Sequence, residues 1–386
     1  MAKTMFLLGA GADADYNILT GGSFFEEILN FKDERIKEIF NKNIKSTPLL
    51  HHNSKRIYAT TIIENKDVLK NKFSENLDII EAYYNGKLEV TRKSDYDNLC
   101  KRWYELLTKS DFNLTNESKE EKAFFLKHML LFDELDGKFN TLRYVRNLNE
   151  NSFTNKVISN YQKIFMLIFD AVYKNNNARN LTDVLTYLEG DYDVTDLKGK
   201  YYSIIKDSGL NYNIATTNYT PIAETITGKK AIYLHGNLKW FEDLKHLTIY
   251  EVGKDTASIL ENKNTIVPFI MIPSGVKPLI CTKQMLEYAN FIDELEKSDI
   301  LVILGYRFNS EDNHINSIIF DWIRNNSNAQ VYYFRYIPNT GEPEQNLFEL
   351  DIFENNPKIK EKFKILELKE KNYEVLKDLL DTLKKQ

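Results

Sequence analysis

Short, continuous apolar runs mark the two ends of this chain, and helical spacing marks its middle. Thr4 to Leu8 is an apolar run that ends in glycine. Similar runs follow at Asn213 to Thr216, Ala231 to Leu234, Thr265 to Ile272, Asp299 to Leu304 and Gln330 to Tyr336. Each is bounded by Gly, Pro, Asn or Ser, the signature of a strand. Runs such as Ile300-Leu301-Val302-Ile303-Leu304 leave no polar face, which predicts parallel strands buried on both sides. Ile315, Ile318, Ile319, Trp322 and Ile323 form one apolar stripe at helical spacing. Phe363 to Leu368 predicts a late strand, and Tyr373 to Lys385 a terminal helix.

The middle differs. Leu69, Phe73, Leu77 and Ile80 recur at three and four residues, as do Ile158, Tyr161, Phe165 and Ile168. Residues 31–190 contain three glycines (Gly86, Gly137, Gly190) and one proline, Pro48, whereas the flanks contain the other twelve glycines and seven prolines. Turn formers are therefore concentrated outside the middle. These patterns predict an α/β protein: a doubly wound, mostly parallel Rossmann-like sheet interrupted by a large all-helical insert. Residues 1–30 form its first βα unit, 31–190 the helical insertion module, and 191–386 the rest of the sheet with the C-terminal strand and helix.

Composition narrows the function classes. At 386 residues, with 42% hydrophobic and 28% charged positions, the chain is long enough for a sizeable core and reads as a globular protein. A net charge of −5 argues against a dedicated nucleic-acid binder. Two cysteines, Cys100 and Cys281, make neither a disulfide framework nor a zinc ribbon. The six histidines show no metal-ligand spacing, so no metal is expected. Met5 to Leu8 is too short and too interrupted by Gly9 and Gly11 for a secretion signal, and the next run, Ile164 to Phe169, is six residues. A cytoplasmic protein without a membrane span is expected.

Four clusters carry candidate chemistry. Gly9-Ala10-Gly11-Ala12-Asp13-Ala14 follows the first strand and fits G-x-G-x-x-G/A. In that reading Gly9 makes the tight turn, Gly11 admits a pyrophosphate, Ala14 packs helix on strand, and the helix start offers unpaired N–H groups to phosphate. A plain strand-to-helix turn is the competing reading. No second strand with a terminal acid follows within the usual distance, because Phe24 to Leu29 has helical spacing. That disfavours an ordinary hydride-transfer enzyme. The second cluster, Ala215-Thr216-Thr217-Asn218-Tyr219-Thr220, ends a strand; Thr220 before Pro221 reads as a helix N-cap, and Asn218 as a ligand contact or a turn cap. The third, Tyr233-Leu234-His235-Gly236-Asn237, puts His235 17 residues after Asn218, as a general base or a core histidine. The fourth, Gly305-Tyr306-Arg307-Phe308-Asn309-Ser310, runs on to Glu311-Asp312-Asn313-His314. Gly305 would admit a nucleotide backbone contact, Asn309 or Ser310 a ribose contact, with Arg307 a solvated charge or phosphate partner and His314 a helix start.

Together the four clusters, with Thr20-Gly21-Gly22 downstream of the first, resemble the sirtuin-like family over about 200 residues of the flanks. The run Gly305-Tyr306 to Asn313-His314-Ile315-Asn316 is similar to bacterial antiphage-defence NAD hydrolases, especially those paired with a HerA-type ATPase. The resemblance implies NAD as substrate, catalytic Asn218 and His235, and NAD contacts from Gly9, Ala10, Gly11, Asp13, Thr217, Gly305, Tyr306 and Asn309. It also implies a homo-oligomer and a regulatory partner of the HerA type. The chain departs from the family in several places. It lacks the four-cysteine ribbon and the Phe-Gly-Glu stretch of deacetylases, so protein deacetylation is not expected. Thr220 stands where the family often has Asp, Asp13 where it usually has Ser, and Asn17 and Leu19 replace Gly and Pro. The expected activity is release of nicotinamide from NAD with ADP-ribose as product, depleting NAD in defence. The alternative is a non-hydrolytic NAD or ADP-ribose sensor or scaffold in a defence complex.

Overall fold

The computed structural model describes residues 3–16, 18, 200–243, 246, 248–253, 266–271, 282–309, 312–337, 357–369 and 373–385, with isolated positions 162, 165, 166, 169, 170 and 188. The helical module expected over 31–190 lies outside them except at those six positions, all of which are helical. Phe165 is buried there and meets Phe241 edge to face at 5.5 Å.

Six parallel strands make the main sheet: β1 (Thr4–Leu8), β2 (Tyr212–Thr216), β3 (Ala231–Tyr233), β7 (Ile300–Leu304), β8 (Gln330–Ile337) and β9 (Phe363–Lys369). They lie in the order β3-β2-β1-β7-β8-β9. The chain therefore winds outward from β1 in one direction and, from β7, in the other, which is the doubly wound order. The Rossmann-like class expected from the sequence is what the sheet shows. β1 and β7 are buried at every position because they lie in the middle of the sheet with both faces covered.

The pleat divides the core. Phe6 and Leu8 face one layer with Val302 and Leu304, covered by α2 (Tyr201–Asp207), α3 (Ile222–Thr227) and α7 (Glu374–Lys384). Met5 and Leu7 face the other with Leu301 and Ile303, covered by α4 (Thr282–Glu296), α5 (Asn313–Asn325) and α6 (Pro357–Lys362). Of the apolar stripe of α5, Ile315, Ile319, Trp322 and Ile323 are buried as the spacing predicts and Ile318 is half-buried. The exposed edge of β3 is managed by α4: Glu287 accepts the Tyr233 N–H at 3.0 Å and the Lys283 ammonium at 2.8 Å. No helix among the described residues is long and apolar enough to cross a membrane.

One expectation is corrected. The run Thr265 to Ile272 is strand β6 (Ile266–Ile270), but it does not join the parallel sheet. It pairs antiparallel with β4 (Gly236–Asp243), which also pairs with β5 (Thr248–Glu251), in a separate three-stranded sheet of order β5-β4-β6. Pro268 lacks an N–H to donate and suits this edge position.

Register ties the sheet to the candidate site. Tyr233, Thr216, Leu8, Leu304, Phe334 and Leu366 form one row across all six strands. The ladder continues one step past that row: Gly9 N–H donates to Leu304 at 2.9 Å, Thr217 N–H to Leu8 at 3.0 Å, and Leu234 N–H to Thr216 at 2.8 Å. The four sequence clusters thus leave the sheet at one level.

Beyond the row, two glycine turns touch. Gly11 N–H donates to the Gly305 carbonyl at 2.9 Å. Gly305 has φ +65°, and a Cβ there would lie 2.0 Å from the Ala12 nitrogen. A side chain at 305 would suffer both the left-handed backbone cost and a backbone clash. Gly228 has a similar φ of +68° at the C-cap of α3 but nothing within 4 Å of a Cβ. Gly228→Ala should therefore cost about 1 kcal/mol and Gly305→Ala about 3 kcal/mol or more. Denaturant unfolding of the two variants measures the difference; equal losses would contradict the contact.

Candidate active site

The reversal of strand order between β1 and β7 puts the topological switch point at the carboxyl ends of those strands, the place where open α/β sheets take ligands. The turn after β1 is shorter than the sequence implies. Helix α1 (Ala10–Asp13) is one turn and passes into a 3₁₀ turn over Ala14–Tyr16. Its N–H groups are largely committed: Gly9 to Leu304, Gly11 to Gly305, and Ala12 to the Gly9 carbonyl. The expected row of unpaired donors on a helix dipole is corrected accordingly, since one turn sums few peptide dipoles. Ala10 and Gly11 remain exposed at the switch point. The close-packing residue is Ala12, which is buried, and not Ala14, which is exposed.

Asp13 points inward. It is 2% exposed and accepts hydrogen bonds from the Tyr202 and Thr220 hydroxyls. The Asn218 side chain also hydrogen-bonds it. Burial raises its pKa from 3.8 to about 6, opposed by those three hydrogen bonds in the order Thr220, Tyr202, Asn218. Asp13 therefore joins α1, α2 and the end of β2 instead of presenting a carboxylate to a phosphate. Thr220 is also reassigned. Pro221 occupies the N-cap position of α3 with no side-chain capping bond, because the Thr220 hydroxyl is directed to Asp13. Tyr16 stacks on Tyr202 at 4.8 Å and accepts its N–H at 2.8 Å, bracing the same corner.

Asn218 is buried two residues past the end of β2. Its N–H donates to Thr216 Oγ1 at 3.0 Å, and its Nδ2 donates to the Gly9 carbonyl at 3.0 Å. The amide nitrogen is thus turned toward the glycine turn and Asp13, leaving Oδ1 as the acceptor end. His235 lies two residues past the end of β3 and is 5% exposed. Thr216 pairs with Tyr233, so Asn218 and His235 occupy equivalent places beyond neighbouring strands. Neighbouring strands run about 4.8 Å apart. Thr217, whose N–H continues the ladder to Leu8, is half-buried.

The fourth cluster divides. Gly305 supplies the backbone contact to Gly11 and Ala12, so the close approach it permits is to protein. The Tyr306 side chain is buried and donates to Asn316 Oδ1 at 2.7 Å; what it offers the switch point is backbone. Arg307 and Asn309 are exposed. The Asn309 carbonyl accepts from the Asp312 N–H at 3.0 Å and from Asn316 Nδ2 at 2.9 Å, which fixes the turn into α5. Ser310 lies outside the described residues. His314 does begin the helix, as its second residue, and its ring lies 6.3 Å from that of His235. Asp312 Oδ1 lies 3.1 Å from His235 Nε2, and the donor atoms of His235, Asp312 and His314 all fall within 4.8 Å of one another. This cluster, which could hold a cation, revises the expectation that the histidines form no ligand group. The sequence offered only the Asp-x-His spacing as a signal.

A depression of about 600 Å³ lined by Asp299, Ser327, Gln330 and Lys362 lies at the amino ends of β7 and β8, away from this chemistry. It belongs to a helix-to-strand corner in which Lys362 donates to the Ile323 and Asn326 carbonyls.

No family model and no curated protein matches the chain. Among solved structures it is similar to a sirtuin from work on substrate affinity, at 15% identity over 59% of this chain and 80% of that one, with a TM-score of 0.32. It is also similar to a Sir2 homolog–NAD complex, at 14% identity over 64% and 77% with a TM-score of 0.31. A Sir2–p53 peptide–NAD+ complex aligns at 14% identity over 65% and 90%, with a TM-score of 0.32. At those scores the fold rests on the strand order and register given above.

Asp13 gives a pH test. Folding raises its pKa, so the folded state holds the proton more tightly than the unfolded chain. Its contribution is most favourable below the unfolded value of 3.8 and is lost as pH rises to about 6. The loss is on the order of 3 kcal/mol. Asp13→Asn removes this titration. Thermal unfolding from pH about 4 to about 7 should show the parent losing stability relative to the variant across that window; parallel curves would contradict a buried, titrating Asp13.

Proposed function

We propose that this chain hydrolyses the bond between nicotinamide and ribose in NAD, with water as acceptor, yielding ADP-ribose, nicotinamide and a proton. The observation that carries the reading is the register-matched pair Asn218 and His235, each two residues beyond paired strand ends, with Asn218 bound to the glycine turn. The chemistry asks little of a nucleophile, because nicotinamide leaves as a neutral molecule. It asks for a fixed sugar, one oriented water and a place for the proton.

Asn218 Oδ1 meets the second need, since its amide nitrogen is held by Gly9 and Asp13 and cannot turn freely. That acceptor orients the attacking water or a ribose hydroxyl. His235 takes the proton as the water adds to the sugar carbon and the electron pair of the breaking bond leaves with nicotinamide. Asp312, at Nε2, holds the ring and stabilises the imidazolium that results. Backbone at Gly9, Ala10, Gly11, Gly305 and Tyr306, with Thr217 and Asn309, lines the cofactor side; Asp13 supports it from inside. In this reading the protein is a cytoplasmic homo-oligomer that depletes NAD in antiphage defence under control of a HerA-type ATPase, as the sequence resemblance implies.

The test is nicotinamide released from NAD by the purified chain, with and without such an ATPase. Asn218→Ala and His235→Ala, confirmed folded, should each lose about a hundredfold or more of the rate. Parent-like release by both variants would sink the mechanism. Calorimetric binding of NAD with no release under either condition would establish the sensor alternative instead.

A further inference from the structure

We propose that His235, Asp312 and His314 form a binding site for one first-row divalent cation of the Zn2+ class, and that the occupied site inhibits the enzyme by engaging His235. The inhibition half rests on the function proposed above; the cation site does not. Two imidazoles and one carboxylate are the donor types that Zn2+ accepts, and three protein ligands leave a position for water. All three donor atoms lie within 4.8 Å of one another, and the His235–Asp312 separation is already 3.1 Å. Ligands around one zinc ion sit about 3.3 Å apart, so modest side-chain rotation closes the set.

The placement supports a site more than a chance meeting. Asp312 and His314 come from the rigid first turn of α5, where Asn309 and Asn316 pin the backbone. His235 arrives from the far edge of the sheet, its carbonyl held by the Met271 N–H at 2.7 Å. Asp312 and His235 are both 5% exposed, so a carboxylate sits in a low-dielectric corner where a cation neutralises it effectively. Tyr288 adds an independent sign. Its ring lies 5.4 Å from His314, and its hydroxyl is buried with no hydrogen-bond partner among the described residues. Water carried on a bound cation is the kind of partner such a hydroxyl lacks.

Engaging His235 has a direct consequence. A neutral imidazole has one lone-pair nitrogen; with that nitrogen on a cation the other carries N–H, so neither can take a proton, and Asp312 drawn to the cation no longer orients the ring. Zinc would act as a brake that leaves NAD binding in place.

The test is calorimetric titration of the full chain with zinc chloride, with His314→Ala and Asp312→Asn alongside. The parent should bind one equivalent, and each variant should bind at least about tenfold more weakly. His314→Ala, half-buried and outside the hydrolytic machinery, should release nicotinamide at the parent rate without zinc, and its zinc inhibition should shift by the same factor. Zinc affinity in His314→Ala within about twofold of the parent would overturn the site, whether or not Asp312→Asn folds. Zinc binding as expected with no fall in nicotinamide release would overturn the inhibition. If the chain releases no nicotinamide at all, the hydrolase reading fails while calorimetry still decides the cation site.

Discussion

Two turns meet backbone to backbone where the sheet changes winding direction, and the geometry of the candidate site follows from that contact. Gly305 adopts a left-handed conformation so that its carbonyl can receive Gly11 N–H while Ala12 passes above it. Any side chain at Gly305 would push the turns apart. With the turns joined, the first segment of the chain and a segment about 300 residues later are locked at one level of the sheet. Asn218 then reads that level through Gly9, whose carbonyl holds its amide. The glycines therefore act first on the protein itself, and on a ligand only through the surface they leave exposed.

Much of this was legible in the sequence, and the parts that were not share a physical cause. Buried parallel strands announce themselves because both faces are apolar, so the positions of β1, β2, β3, β7, β8 and β9 were readable to within about two residues. The second sheet was not. β4 contains Asn237, Glu242 and Asp243, all buried, and polar burial in a strand defeats any reading based on apolar alternation. Pro268 did carry a signal, because a proline inside an apolar run belongs to an edge, and β6 is an edge strand of the second sheet. The role of Asp13 was hidden for a similar reason. Its neighbours Ala10, Gly11 and Ala14 are exposed, and only the fold shows that position 13 turns inward toward Thr220 and Tyr202.

The histidine cluster marks a deeper limit. Asn218 and His235 are close in sequence and sit beyond strands that pair directly, so a βα pattern suffices to bring them together. Asp312 comes from the other half of the winding, on the opposite side of β1. No spacing rule connects it to His235; the link exists because Gly9 and Gly11 draw the β7 turn against the β1 turn. A pattern search finds ligand sets within a segment, whereas this one is assembled by topology.

That assembly also uses two kinds of buried carboxylate, Asp13 and Asp312. Asp13 is surrounded by hydroxyl and amide donors, and burial lifts its pKa despite them, because neutral dipoles only partly replace water. Asp312 instead faces an imidazole, a partner that can become positive. A carboxylate held by neutral donors is suited to bracing a structure; one set against a histidine is suited to following a charge as it forms on the ring. The same property makes Asp312 responsive to any other positive charge in that position. In the mechanism and the cation site proposed above, the proton taken by His235 and the divalent cation compete for the same negative corner.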